Sequence, residues 1–255
     1  MTDRLSTFAA RVVYSAFCLF LLTSVGCESF SKNTSETPPA ISVEAPPLPG
    51  KAPAQRVSQF VFYTDTPIKE NAPLFQELTD LREQIFRDLR LPPSNSVVQV
   101  YLFDDQAKYE RWMRYRYPEL PRRRAFFIEQ PPKPGVGWPT GLLVFTFRGE
   151  NVRQDLRHEL THALLHSTLK EVPIWLDEGL AEYYELPPEK AGLNAEHLRA
   201  IRKGTVRPDL QTLEKLDQVQ QMGRPQYQES WAWVHLMLCS QPQAKQVLLA
   251  YLQEL

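Results

Sequence analysis

The stretch His158-Glu159-Leu160-Thr161-His162 lies within residues 151–170, a segment with apolar residues at helical spacing and no Gly or Pro. This pattern predicts a helix. Residues four apart share one face of a helix, so His158 and His162 can direct two imidazoles at one metal ion. Glu159 is rotated by about 100° from His158, so its carboxylate can reach a water molecule on that ion without being a ligand.

A second helix is predicted for the downstream sequence Pro173-Ile174-Trp175-Leu176-Asp177-Glu178-Gly179-Leu180-Ala181-Glu182-Tyr183. A catalytic zinc site takes three protein ligands and keeps the fourth position for water. The spacing leaves room for a turn and for a helix that returns Glu178 over the histidine pair. Glu182 lies one turn beyond Glu178 on the same face, where its carboxylate could accept the free ring N–H of a liganding histidine.

The joint pattern resembles the gluzincin zinc metallopeptidases, in particular the small bacterial peptidase-MA-like group, with H-E-L-x-H-x-L-L followed by P-x-W-L-x-E-G-L-A-E-Y. The strongest match covers residues 156–184. The resemblance implies that His158, His162 and Glu178 hold Zn²⁺ and that Glu159 is the general base. Upstream, the resemblance consists only of the order of strands and helices.

Other interpretations of the histidines remain open. A helical histidine pair also occurs as an ordinary polar face. The zincin arrangement with a Gly and then a third His fails, because Leu165 and Thr168 stand at those positions. His166 drifts off the face shared by His158 and His162, which favours a helix-end or surface role over metal binding.

The predicted elements indicate an α+β fold, with a small N-terminal mixed β-sheet and its helices followed by a helical half that carries the zincin motif. Strands are predicted at residues 59–64, 97–103, 125–129 and 141–147, and helices at 71–90, 104–116, 151–170, 173–185, 194–203 and 227–238. The family resemblance implies that a sheet edge pairs with extended substrate backbone. The segments 142–147 and 125–129 are both candidates, and either could instead be simply buried.

Tyr227, Trp231 and His235 are spaced by four residues on one face of the last predicted helix. This spacing is typical of core packing. The family resemblance offers another hypothesis, in which Tyr227 or His235 stabilises the oxyanion of the reaction.

The N-terminus has the features of a lipoprotein-type signal peptide, residues 1–27. Arg4 and Arg11 precede an apolar run at residues 12–25 that is too short for a membrane span, and the run ends at Cys27. The end of the run resembles a bacterial lipobox, although Ser24 stands where Leu is usual. We expect lipidation of Cys27 and export to the bacterial cell envelope; an ordinary secretory signal or an uncleaved anchor are the alternatives.

Residues 28–56 are rich in Pro, Ser and Thr, which predicts a disordered tether, and residues 57–255 are the predicted metallopeptidase domain. Lipidation would leave Cys239 as the free cysteine of the mature chain, so no internal disulfide is expected. The net charge of −1 supplies no global attraction to nucleic acid. An Arg-rich cluster with interspersed aromatic residues, 111–124, is therefore interpreted as a solvated face or as a contact with anionic envelope polymers.

The function predicted from these features is zinc-dependent hydrolysis of peptide bonds by a membrane-tethered extracytoplasmic enzyme, in which Glu159 activates a water on the zinc. Its partners would be a peptide or protein substrate and, through the lipid, the membrane. Two alternatives are an inactive zinc-containing lipoprotein that binds peptides, and a structural envelope lipoprotein with incidental histidines. Retention of Glu159 favours the enzyme, because only catalysis needs a carboxylate beside the water on the metal. Substrate identity, endo- or exopeptidase action and oligomeric state stay open.

Overall fold

A computed structural model of the chain describes residues 45–69, 72–131 and 141–255. The predicted signal peptide, Cys27 and residues 28–44 of the predicted tether lie outside the described residues. Within the described part, no helix has both the length and the apolar character that crossing a membrane requires.

Five described strands form one mixed sheet in the order β1-β2-β3-β5-β4. The parallel centre comprises β2, β3 and β5, and the two outer strands, β1 and β4, run antiparallel to their neighbours. The bounds are β1 Gln55–Val57, β2 Phe60–Thr64, β3 Val98–Phe103, β4 Phe126–Gln130 and β5 Gly141–Phe147. This mixed sheet, followed by a helical half, confirms the predicted α+β fold.

The described helices are α1 Pro73–Leu89, α2 Gln106–Arg116, α3 Val152–His166, α4 Ile174–Tyr184, α5 Ala195–Arg202, α6 Leu210–Leu213, α7 Arg224–Cys239 and α8 Pro242–Glu254. Pro73 can begin α1 because the first turn of a helix needs no backbone N–H from that position. Helix α8 has no counterpart among the predicted elements. It contributes Leu248 and Leu252 to the main core.

Both faces of the sheet are covered, because successive side chains of a strand point to opposite faces. In β5, Leu142 and Val144 belong to the main core, which also contains residues of α1, α3 and α4. Leu143 and Phe145 belong to a second cluster with Trp112 of α2. The near-continuous apolar sequence of β5 therefore follows from its burial on both faces. Strand β5 ends at Phe147, a few residues before α3 begins.

The folded part of the chain begins earlier than the sequence predicted. Strand β1 pairs with β2, although residues 55 and 56 fall in the predicted tether. The Gln55 side chain donates to the Ile68 carbonyl at 2.8 Å and accepts from the Ile68 N–H at 2.9 Å. Ala52 is buried and donates its N–H to the Thr64 carbonyl at 3.0 Å. Ordered structure therefore extends before the predicted boundary at Val57, and the sequence did not indicate this because a short polar strand has no apolar alternation that would distinguish it from a tether.

Helices α4 and α7 approach each other closely at Gly179. A Cβ atom at this position would lie 2.6 Å from the Ser230 carbonyl oxygen and 2.8 Å from Val234 Cγ2. These distances are shorter than van der Waals contact, so the crossing requires glycine. Because Gly179 follows Glu178 directly, the crossing also sets the position of the Glu178 side chain.

Candidate metal centre

Helix α3 carries His158, Glu159 and His162, and a buried arginine on α3 fixes its position against α4. Arg157 is 2% exposed. Its Nε donates to the Glu185 carbonyl at 3.2 Å and its Nη2 to the Leu186 carbonyl at 2.8 Å. These carbonyls lie at the end of α4, where no further helical N–H is available to them. Arg157 therefore closes the end of α4 and fixes the pair of helices that brings Glu178 to the histidines.

Three donor atoms converge between α3 and α4. Glu178 Oε2 lies 3.6 Å from His158 Nε2 and 3.7 Å from His162 Nε2. One ligand atom from each of the three residues lies within 4.8 Å of the other two. The structure thus brings together the three residues that the sequence proposed as metal ligands.

The donor set fits a zinc ion. Ligand atoms 2.0–2.2 Å from a tetrahedral zinc lie about 3.3–3.6 Å from one another. Separations of 3.6 and 3.7 Å are close to this range and are too long for good hydrogen bonds. Glu178 is 6% exposed, and its Oε2 has no hydrogen-bond partner among the described residues. A buried carboxylate oxygen without a partner is costly, and a cation between the three atoms would satisfy it.

The other ring nitrogen of each histidine faces a carboxylate. His158 Nδ1 lies 3.0 Å from Glu185 Oε2, and His162 Nδ1 lies 2.9 Å from Asp177 Oδ1. Glu185 in this position holds the proton of His158 on Nδ1 and so directs its Nε2 lone pair to the shared point. The His162–Asp177 contact is close enough for an ion pair, but its atoms do not have the geometry of a hydrogen bond.

The sequence prediction gave this supporting role to Glu182, whereas in the structure Glu185 makes the contact with His158 Nδ1. Glu182 Oε2 lies 2.9 Å from His197 Nε2, on helix α5. Glu182 is one helical turn farther along α4 than Glu178, whereas Glu185 is two turns along and reaches back to His158. Glu182 and Glu185 also form a group with His158 whose donor atoms lie within 4.8 Å of one another. Both carboxylates already have hydrogen-bond partners, so the His158–His162–Glu178 group is the better candidate for a metal centre.

The electrostatics of the cluster follow from its burial and its charges. Burial opposes protonation of His162, but Asp177 and Glu178 outweigh it and raise the pKa of His162 to about 9. Burial likewise opposes protonation of His158, but the neighbouring carboxylates of Glu178 and Glu185 raise its pKa well above the ordinary value. Burial raises the pKa of the Glu159 carboxyl, against the effect of both histidines. Without a metal ion, the carboxylates of the cluster therefore favour the protonated form of both histidines.

Glu159 does not belong to the converging donors. Its Oε2 accepts the backbone N–H of Phe127, in β4, at 2.6 Å. Alternate residues of a strand direct their N–H groups to the same side, so this edge of β4 faces α3. Of the two strands proposed as a substrate shelf, β5 lies between β3 and β4, and β4 lies at the edge of the described sheet. Of the two candidate strands, β4 is therefore the one with an edge open to pairing in the described sheet.

A cavity of about 410 Å³ opens beside Glu159 and His158. Its wall includes Tyr227, one of the two residues proposed to stabilise an oxyanion. Arg123 Nη2 donates to the Tyr227 hydroxyl at 3.0 Å. The structure thus brings Tyr227 to the same cavity as the proposed general base.

His235, the other proposed oxyanion residue, lies elsewhere. It is two helical turns beyond Tyr227 on α7, and it is not among the residues that line the cavity. Its ring packs against Trp231 at 5.1 Å and Tyr183 at 6.0 Å between centroids. Burial lowers its pKa. Of the two roles considered for His235, the structure supports core packing.

His166 lies beside the cluster but is not one of its three donors. Its Nε2 lies 3.2 Å from Asp177 Oδ2, and its Nδ1 lies 3.3 Å from Glu129 Oε2. Asp177 therefore bridges His162 and His166. This placement at the end of α3 agrees with the interpretation of His166 as a helix-end residue.

Sequence reasoning missed four residues that shape the site: Asp177, Glu185, Arg123 and Arg157. Glu185 follows Glu178 by two helical turns, so the i, i+7 spacing could have identified it. Asp177 is adjacent to Glu178 and carried no separate signal. Arg123 belongs to a run of three arginines, and nothing in the run distinguishes it from its neighbours.

Comparison of the chain with models of known protein families and with curated proteins found no match. The family resemblance rests on the motif residues of α3 and α4.

Proposed function

We propose that this protein is a zinc metallopeptidase that hydrolyses peptide bonds. One observation carries the proposal: His158 Nε2, His162 Nε2 and Glu178 Oε2 face one point, while the remaining ring nitrogens face carboxylates. A separate carboxylate, that of Glu159, stands next to these donors on the same helix. Three ligands with an adjacent carboxylate that is not a ligand are the arrangement that hydrolysis needs.

In this proposal His158, His162 and Glu178 hold Zn²⁺. The ion would supply Lewis acidity, which polarises a carbonyl and lowers the pKa of a water molecule. Glu185 keeps the His158 imidazole in the tautomer and orientation that present Nε2, and the negative charge of Asp177 beside His162 Nδ1 favours the same tautomer of His162.

Glu159 acts as the general base and then as the general acid. It accepts a proton from the attacking water, and it returns a proton to the amine that leaves. Its contact with the Phe127 N–H fixes one carboxylate oxygen, and Glu159 lines the cavity. The raised pKa that burial gives to Glu159 brings its proton affinity closer to that of its reaction partners.

The substrate in this proposal is an extended peptide that lies along β4. An edge strand presents backbone N–H and C=O groups that pair with any extended chain, so the shelf binds peptides through their backbones. Tyr227, across the cavity, donates its hydroxyl proton to the oxygen that becomes negative when water adds to the carbonyl.

The proposal includes an envelope location, with Cys27 carrying a lipid and residues 28–44 acting as a spacer. This part rests on the sequence of the N-terminus alone. A lipid anchor would hold the enzyme at a membrane surface on the exported side.

The decisive experiment measures zinc content and peptide cleavage on the same preparation, purified without chelator. We expect about one zinc per chain, no zinc in His162→Ala, and cleavage of members of a mixed peptide library by the wild type. Fresh protein without zinc would contradict the proposal. A zinc-loaded protein that binds library peptides and cleaves none would support the alternative of a peptide-binding lipoprotein.

A further inference from the structure

The charged side chains of the cavity are paired, with one exception among the described residues. Arg124 donates to Asp155 through two nitrogens, at 2.8 and 3.0 Å. The other acidic groups pair with histidines or with backbone N–H, as described above. Arg123 differs, because its hydrogen-bonded side-chain partner is the neutral hydroxyl of Tyr227.

The backbone of the segment that carries Arg123 is held from the core. The buried Tyr109 hydroxyl donates to the Arg123 carbonyl at 3.0 Å. The buried Thr146 hydroxyl donates to the next carbonyl, that of Arg124, at 3.2 Å. Since neither Tyr109 nor Thr146 can move without disturbing the sheet or α2, the Arg123 side chain starts from a fixed point beside the cavity.

The hydrogen bond between Arg123 and Tyr227 has a defined direction. A guanidinium group has donors and no acceptor, so the phenol oxygen must accept. The hydroxyl proton of Tyr227 then points away from Arg123. The described residues offer this proton no acceptor, and the hydroxyl lies at the cavity that His158 and Glu159 also line. The proton is therefore available to an oxygen atom of a bound substrate.

We propose that Arg123 is a positioning residue of the reaction, which holds the Tyr227 hydroxyl so that its proton is donated into the cavity toward the developing oxyanion. This inference rests on the proposed peptidase function and adds a residue to it. The positive charge of Arg123 also strengthens the donor, because a hydroxyl that accepts from a cation becomes a better donor itself.

The alternative role for Arg123 is direct binding of a substrate carboxylate. The two roles differ in what they require. A positioning residue acts only through Tyr227 and acts on every substrate. A carboxylate receptor acts without Tyr227 and only on substrates with a negative charge near the scissile bond.

A double-mutant cycle separates these roles. Wild type, Arg123→Met, Tyr227→Phe and the double variant are compared on one cleaved peptide, prepared with a free and with an amidated C-terminus. We expect Tyr227→Phe to lower kcat by about 10²–10³-fold, as for loss of an oxyanion donor. Arg123→Met should lower kcat by about 10–100-fold with little change in KM. In the Tyr227→Phe background, Arg123→Met should have almost no further effect.

Arg122→Met is the matched control, because it removes the same charge from the preceding residue, which is also exposed but does not line the cavity beside Glu159. Its kcat should equal that of the wild type. Arg123→Lys should restore part of the activity, since an ammonium group also donates to an oxygen. Zinc content and melting temperature of each variant show whether the fold is retained.

Binding of a phosphonamidate analogue of the cleaved peptide supplies a readout that does not depend on turnover. Its charged phosphoryl oxygens mimic the tetrahedral oxyanion, so Arg123→Met should weaken this analogue far more than it weakens the parent peptide on the Glu159→Gln protein. Equal weakening of both would overturn the inference.

Three kinetic outcomes also overturn the inference while leaving the peptidase intact. They are wild-type kcat in Arg123→Met, fully additive effects in the double variant, and an effect confined to KM on the peptide with the free C-terminus. A wild-type protein that binds no zinc or cleaves no peptide overturns the proposed function and this inference with it.

Discussion

Glu185 Oε2 lies 3.0 Å from His158 Nδ1, on the side of the imidazole opposite to the nitrogen that faces Glu178. This contact orients one proposed ligand without touching the metal position. Removing such a partner weakens metal binding about 10–100-fold in comparable sites. We therefore expect Glu185→Ala to lower zinc affinity by about that factor, measured by competition with a chelating dye.

Glu182→Ala is the matched control for this prediction. Glu182 belongs to the same helix and the same cavity wall, but its hydrogen bond goes to His197. We expect its zinc affinity to fall much less than that of Glu185→Ala. A larger loss in Glu182→Ala than in Glu185→Ala would contradict the assignment of these two carboxylates.

Glu159→Gln should separate catalysis from metal binding. The amide oxygen of Gln can still accept the Phe127 N–H, but the side chain cannot accept a proton from water. We expect unchanged zinc content, a melting temperature close to that of the wild type, and a cleavage rate lower by about 10²–10⁴-fold. Cleavage at the wild-type rate would assign the activity to another site or to a contaminant.

Zinc binding should release protons at neutral pH. The histidine ligands must be neutral to bind zinc, whereas Asp177 and Glu178 raise the pKa of metal-free His162 to about 9 against its burial. Apparent zinc affinity should therefore rise as the pH increases toward about 9. Calorimetric titrations at pH 7 in buffers of different ionisation enthalpy measure the protons released, and zinc binding without proton release would contradict this prediction.

The stability of the metal-free protein should change with pH in the opposite direction. A raised pKa in the folded state stabilises the protein below the ordinary value of 6.5 for His162, and this contribution is lost as the pH rises through about 9. Melting temperatures of the chelator-treated protein should accordingly fall between pH 7 and pH 9. His162→Gln, which cannot titrate, should show a smaller fall.

Gly179→Ala should disturb the crossing of α4 and α7. The added methyl group would lie 2.6 Å from the Ser230 carbonyl oxygen, so the helices must separate. We expect a loss of about 1–3 kcal/mol in the free energy of unfolding and weaker zinc binding, because Glu178 moves with α4. Gly149→Ala is the control, since Gly149 is exposed and an added Cβ atom there would lie 3.3 Å from the Phe147 ring, with no backbone atom in the way. Chemical denaturation of both variants provides the comparison.

Cys27→Ser should abolish membrane attachment of the mature protein. The apolar run ends at this residue, and the Pro-rich segment that follows cannot insert into a bilayer. We expect the variant to move from the membrane fraction to the soluble extracytoplasmic fraction, or to accumulate unprocessed. Unchanged fractionation together with a different mature N-terminus would contradict lipidation.

The sequence alone identified the elements that carry the site, because their signals are local. The i, i+4 spacing of His158 and His162 determines that they share a face once α3 forms, whatever surrounds the helix. In the same way, the alternating apolar residues and the apolar run in the central strands indicated that these strands are buried. Glu178 was identified through a motif on the next helix, whose separation from α3 by a short turn limits where its side chain can reach.

Only the tertiary structure decided which groups support those residues. Glu185 rather than Glu182 contacts His158 because the crossing of α3 and α4, set by Arg157 and Gly179, determines which turn of α4 faces the ring. Arg123 meets Tyr227 across a separation of 104 residues, and no local pattern encodes such a contact. Strand β1 is stabilised by pairing with β2 and by the Gln55 side chain, and its own sequence carries no strand signal. Local spacing is a property of one element, whereas these contacts exist only after several elements have packed together.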